Sequence, residues 1–325
     1  MISYLAALLA AVANAASNVL NRKATREEPA RLQFHAKLML DLLRRRTWLI
    51  AVAIMLVSFF LGALALGTGQ LAAVQILIIL ELPMTLVGGV MILGSRLGRR
   101  EWAAVAGMTL GVIGLLACLD PRPGRQPAIT ALEWITGSAI TAGPVLALFL
   151  LAKRSASPAR RAALLGMATG ACYGLASVYT KGMTEQFTSG GIAGALSAWQ
   201  LYAAGVAGFA ATWLLQNAYH AGRLAAAQPG ITFVDPAVAT AWGIIVFGEQ
   251  TRGGPVLALS LLPIAALAAS VFLLSRSPAL QQAAGEDESA DQASGNGGQR
   301  GRRPAGRRPD ETGRRGRDSS PASRR

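Results

Sequence analysis

Glu81 and Asp235 each lie inside a long apolar run, among Ile, Leu, Val and Phe, and each stands within two residues of a proline, Pro83 or Pro236. A carboxylate surrounded by such residues is expensive when ionised unless it faces a polar cavity or a partner. Acids in that position exchange a proton or neutralise a cationic solute; the structural alternative is a protonated carboxyl hydrogen-bonded to a neighbouring helix. Pro83 and Pro236 lack an amide hydrogen, so each is expected to kink its helix and to free a carbonyl near the acid. Gln75 and Gln228 precede the acids by six and seven residues, about two turns, near the same helix face. They can line a cavity as neutral hydrogen-bonding groups or join helices together.

Further polar groups fall in apolar surroundings. Asn14, Ser17, Asn18 and Asn21 form a stripe near the N-terminus that is too rich for lipid contact, and Tyr173 and Ser177 share a face farther on. Asn14, Asn18 and Tyr173 therefore join Glu81, Asp235, Gln75 and Gln228 as candidate substrate- or ion-binding residues. Lys23 and Lys181 each close an apolar run and read as side chains that snorkel to headgroups. Trp199 reads as an interfacial anchor. The glycines at 88–89 and at 107, 111 and 114 read as packing faces that bring helix backbones close.

These residues recur in a pattern. Gly-Gln-Leu-Ala-Ala-Val-Gln at 69–75 matches Gly-Arg-Leu-Ala-Ala-Ala-Gln at 222–228, and each copy has a proline eight residues past its last glutamine. At a common offset of 153 residues, eight of nineteen positions between Ala65 and Pro83 are identical, including the Gly, Gln and Pro matches. The acids miss each other by one position. A duplication of this kind around a polar centre is a plan of secondary transporters.

The elements that must position these groups are membrane helices. The chain has 325 residues, is 52% hydrophobic, contains 36 glycines and has a mean hydropathy of +0.40. Its apolar runs of about 20 residues suffice to cross roughly 30 Å of hydrocarbon. Nine spans are expected, near 2–20, 48–67, 71–93, 102–119, 132–152, 162–180, 194–217, 225–247 and 255–275. Pairing one with six, two with seven, three with eight and four with nine leaves span five as a connector. Partners five apart cross in opposite directions, giving an all-α inverted repeat of four plus one plus four. The expected divisions are a first repeat at 1–119, a connector at 120–161, a second repeat at 162–277 and a disordered tail at 278–325.

Charge gives the orientation. The formal net charge is +14. Arginines and lysines cluster at 22–46, at 96–100 and at 153–161, on one side of a nine-helix bundle. That side is cytoplasmic, the N-terminus lies outside as an uncleaved first helix, and the C-terminus lies in the cytoplasm of a cell that holds the chain in its inner membrane. Residues 30–43 are amphipathic and are expected on the cytoplasmic interface. The positive charge flanks the membrane, so nucleic acid is not an expected partner. Cys118 and Cys172 match no metal-ligand spacing and read as small helix residues. No phosphate-binding Gly-Lys-Ser/Thr loop, metal-ligand cluster or nucleophile elbow is present, which argues against ATP-driven transport, a metal site, a cofactor and an enzyme.

The segment Glu81-Leu82-Pro83, continuing to Gly94-Ser95-Arg96-Leu97 with Trp102 and Gly107, resembles the EamA-type permeases of the drug/metabolite transporter superfamily. So does its second copy, Asp235-Pro236 continuing to Phe247-Gly248-Glu249-Gln250. The resemblance implies a helical permease with a proline in mid-helix and a Gly-Glu near the helix end, the latter kept only in the second copy. The usual plan has ten helices; nine, with a basic stretch after the first, is similar to the magnesium-transporter-like branch. The expected function is secondary transport of a small metabolite or drug-like cation by alternating access, with proton coupling and a homodimer both compatible with the sequence. Mg²⁺ transport and a non-transporting membrane scaffold are the alternatives.

Overall fold

Long runs of alanine, leucine and isoleucine with few interior breakers leave the backbone no partner in hydrocarbon except itself, and helices result. The computed structural model describes residues 1–26, 46–93, 97–124, 129–221 and 224–275. Residues 30–43 and the tail from 278 lie outside the described residues. In chain order the helices are α1 (Ile2–Arg26), α2 (Arg46–Thr68), α3 (Leu71–Ile78), α4 (Glu81–Leu93), α5 (Arg99–Leu119) and α6 (Ala131–Arg154). They continue with α7 (Pro158–Ser197), α8 (Trp199–Ala221), α9 (Leu224–Ile245), α10 (Pro255–Leu259) and α11 (Leu261–Ser275). The chain is an all-α, multi-pass membrane protein.

Among the described residues six helical stretches are long and apolar enough to cross a bilayer: Ile2–Leu20, Leu49–Thr68, Leu71–Ile92, Arg99–Leu119, Ala131–Arg154 and Pro158–Ser197. α8 and α9 have 23 and 22 residues, enough for about 33 Å of helix. Gln200, Gln216 and Asn217 in α8, and Gln228 and Asp235 in α9, make them more polar than those six. The span expected at 162–180 is longer than its pattern implied, since α7 runs to Ser197 with its helix broken at Gly191, where φ is +61°.

Local signals set the helix starts. Thr130 and Glu133 form a capping box at α6, and the Ser157 side chain accepts from Arg160 N ahead of Pro158 at α7. The packing pairs are then made by small residues. α1 lies along α2, tied by Ser17 Oγ donating to Ala51 O and Ser58 Oγ donating to Ala10 O, each at 2.8 Å. α5 lies along α11, where a Cβ added at Gly107, Gly111 or Gly114 would meet Ser270, Leu267 or Pro263. That bears out the packing role expected of these glycines. α7 packs against both α8 and α9, and α3 packs against α9 and α1.

Two ends of the bundle can be told apart. One carries the 67–70 turn, residues 120–124, the start of α6 and residues 246–254. The other carries Arg99, Arg100, Lys153, Arg154, Arg160 and Arg161. They are called the turn end and the basic end below.

Candidate functional site

The helix that begins at Leu71 cannot run through Pro83. α3 ends at Ile78 and α4 begins at Glu81, with three-residue hydrogen bonds between them: Leu80 N to Leu77 O at 3.0 Å and Leu82 N to Ile79 O at 3.3 Å. The carbonyl of Ile79, which Pro83 cannot serve, is taken by Leu82. A freed carbonyl is therefore not what Pro83 supplies; it supplies a break. The break puts Glu81 in the first turn of a new helix, where the helix dipole favours negative charge. Asn18 Nδ2 of α1 donates to Glu81 Oε1 at 2.9 Å, and Asn14 stands one turn earlier on the same helix. Asn18 of the polar stripe is thus aimed at Glu81, while Ser17 turns away to α2.

Asp235 reaches the same depth from the other copy. α9 runs antiparallel to α3, and a Cβ at Gly243 would lie 3.6 Å from Ala72 N. Nine residues on from Ala72 is Glu81, and eight residues back from Gly243 is Asp235, each about 13 Å from that contact. Asp235 Oδ1 and Gln75 Nε2 are buried without a hydrogen-bond partner. Gln75 is only 2% exposed, on α3 between the turn end and Glu81.

Unlike α3–α4, α9 stays one continuous helix through Pro236 and also through Pro229, which the sequence reading did not single out. Its backbone is braced by α7. A Cβ at Gly170 would lie 3.1 Å from Asp235 N, and one at Gly174 would lie 2.7 Å from Asp235 O. Gly166 makes the same kind of approach to Ala227. These three glycines, spaced by four, form a helix-packing stripe that sequence spacing alone could have revealed.

Among the remaining candidates, Gln228 is half-buried near the start of α9. Tyr173 packs on a separate apolar cluster with Leu165, Cys172 and Leu214. Beyond Ile79 the helices part. Among the described residues α9 packs along α3 but barely touches α4, so the polar centre faces a splayed region toward the basic end.

The turn end holds what the sequence reading got wrong. Lys181 does not snorkel. It is 4% exposed, and its Nζ lies 3.6 Å from Glu249 Oε1, which is equally buried. The ammonium also donates to Gly69 O at 2.7 Å and Leu66 O at 3.4 Å. The Glu249 carboxylate in turn accepts from Leu71 N at 2.5 Å and Ala72 N at 3.1 Å, capping α3. One ion pair thus joins α7, the segment after α9 and the turn that opens α3. Around it, Trp134 packs against Tyr179, Trp199, Trp242 and Phe247, with centroids 5.3 to 5.9 Å apart. Trp199 is accordingly part of this cluster, though still 48% exposed.

A second tie lies beside it. Arg122 and Gln250 exchange backbone hydrogen bonds at 2.9 and 3.1 Å, and Asp120 pairs with Arg122 at 2.7 Å and Arg252 at 3.2 Å. The Arg122 hydrogen bond, aided by the charges of Arg122 and Arg252, holds the exposed Asp120 carboxyl below its ordinary range.

No family model matches the chain, and no solved structure matches it. A protein of Corynebacterium glutamicum, described only as uncharacterized, is 29% identical to it over 258 residues, which is 77% of this chain and 86% of that protein. The similarity takes in most of a multi-pass helical membrane protein and attaches no activity to it.

Proposed function

We propose that the chain is a secondary transporter that moves a small cationic solute through a polar centre between two inverted halves, with proton exchange at its carboxylates. One observation carries the reading. Glu81 and Asp235, from the two copies of the sequence pattern, lie a similar distance along their helices from the α3–α9 contact at Gly243, and among the described residues the Gln75 amide and one oxygen of Asp235 itself are buried with no hydrogen-bond partner. An unpaired buried polar atom costs about 1–3 kcal/mol. Two such atoms, one of them on Asp235 itself, suit a site that a cation or proton completes.

The packing supports two inverted halves. With α3–α4 counted as one crossing and α10–α11 as another, the helices among the described residues are compatible with nine crossings. Exchanging the halves turns the α1–α2 pair into α7–α8, and the α1 packing on α3–α4 into that of α7 on α9. The α3–α9 and α5–α11 pairs map onto themselves. α6 is left over as the connector. The basic end is cytoplasmic by its charge. The closed turn end and the splayed region below Glu81 then correspond to an inward-facing state, one of the two that alternating access requires.

The test uses the full chain in proteoliposomes carrying a pH-sensitive dye, screened against cationic drugs, amino acids, nucleosides and Mg²⁺. A cation that drives proton release in the wild type, and fails in both Glu81→Gln and Asp235→Asn, is the expected result. A response to Mg²⁺ alone would move the reading to divalent-cation transport. Absence of binding and of proton release in a well-folded sample would sink it.

A further inference from the structure

At the basic end, away from the polar centre, the end of α6, the start of α7 and the second half of α8 line an open cleft of about 130 Å³. Its mouth carries Lys153 and Arg161, and no acidic side chain lines it. Lys153 Nζ stands over the Phe149 ring at 4.7 Å, and Phe149 packs on Trp213 at 5.5 Å, so the ammonium is held at the rim by its aromatic neighbour. Behind the cations the wall is apolar, with Leu165 3% exposed. Asn217 Nδ2 donates to Trp213 O at 2.7 Å, which leaves its amide oxygen as an acceptor inside the cleft.

We infer that this cleft binds an anionic glycerophospholipid. Lys153 and Arg161 take the phosphate, the Asn217 oxygen accepts from a headgroup hydroxyl, and an acyl chain lies along the half-exposed Trp213. Each part of the cleft answers one part of that molecule. A free phosphate would use the two cations and leave the apolar wall and the Asn217 acceptor idle. Basic pockets between membrane helices select anionic headgroups in this way, and the aromatic Trp213 suits the depth where headgroup meets chain. The inference does not depend on transport, because none of these residues borders Glu81 or Asp235.

The experiment is native mass spectrometry of the full chain with phosphatidylglycerol and with phosphatidylcholine of the same chains. The variants are K153Q/R161Q and R154Q/R160Q, which remove the same charge from the same segment inside and outside the cleft. The wild type and R154Q/R160Q should retain phosphatidylglycerol over phosphatidylcholine, and K153Q/R161Q should lose that preference by roughly tenfold or more. Equal loss in both double variants would overturn the site in favour of diffuse charge. Displacement of the lipid by glycerol 3-phosphate would overturn it in favour of a soluble anion. Should K153Q/R161Q fail to fold, brominated chains read the same contact. The fluorescence difference between wild type and Trp213→Phe should be quenched by brominated phosphatidylglycerol more than by brominated phosphatidylcholine, and equal quenching would refute the proposal.

Discussion

Lys181 and Glu249 are an ion pair whose two members cannot trade places. Glu249 also receives the amides of Leu71 and Ala72, and Lys181 also donates to the carbonyls of Gly69 and Leu66. A lysine at 249 would point its charge at the positive start of α3, and a glutamate at 181 would face carbonyl oxygens. Removing one partner of a buried pair costs about 3–5 kcal/mol. Backbone partners that remain should hold Glu249→Gln near the low end of that range, with Glu249→Ala worse because the cap goes too. The charge swap K181E/E249K is expected to melt no higher than either single exchange, read by thermal unfolding in detergent. A swap that recovers the wild-type midpoint would show that simple charge attraction is the whole of this contact. None of this was legible in the sequence. A lysine at the end of an apolar run looks like a snorkelling lysine, and no spacing rule ties it to an acid 68 residues later. The contact of Asn18 with Glu81 was legible in kind, because polar groups in an apolar run must find each other or water.

At the scale of elements, the same Pro-and-acid motif gives two different local structures. Pro83 divides its helix, whereas Pro236 lies inside a continuous α9. The physical difference lies in the neighbour. α9 is held along its length by the glycine stripe of α7, whose backbone comes within side-chain reach of Asp235, and this tertiary bracing could not be read from α9 itself. The sequence match between the two stretches did not foretell that one helix would break and the other stay continuous. It follows that α7 sets the position of Asp235. Gly174→Val pushes a branched side chain into Asp235 O, an overpacking that costs about 1–3 kcal/mol. It should abolish the proton release assigned to Asp235 while Gly208→Ala, where a Cβ meets nothing within 4 Å, leaves both stability and release unchanged. Proton release at the wild-type level in a folded Gly174→Val protein would show that Asp235 does not depend on this packing.

For the molecule as a whole, the turn end is closed by three contacts of different kinds: the buried Lys181–Glu249 pair, the aromatic cluster on Trp134, and the Arg122–Gln250 bridge with its Asp120 clasp. A transporter that alternates must undo all three together, since each joins segments from both halves of the sequence repeat or its connector. The Arg122–Gln250 bridge offers a direct handle on that motion. Two residues that exchange both backbone hydrogen bonds in an antiparallel pair have Cα atoms about 5.5 Å apart, within the range a disulfide spans. In a chain with Cys118 and Cys172 replaced, R122C/Q250C should therefore cross-link on mild oxidation. Cross-linking should stop solute-driven proton release in proteoliposomes, reduction should restore it, and the single variants should be indifferent to both treatments. Substrate binding measured in detergent from the basic end should survive the cross-link, because the polar centre at Glu81 and Asp235 faces the splayed side. Undiminished transport by fully cross-linked protein would mean that the turn end never opens, and the closed contacts would then be the fixed base of the bundle.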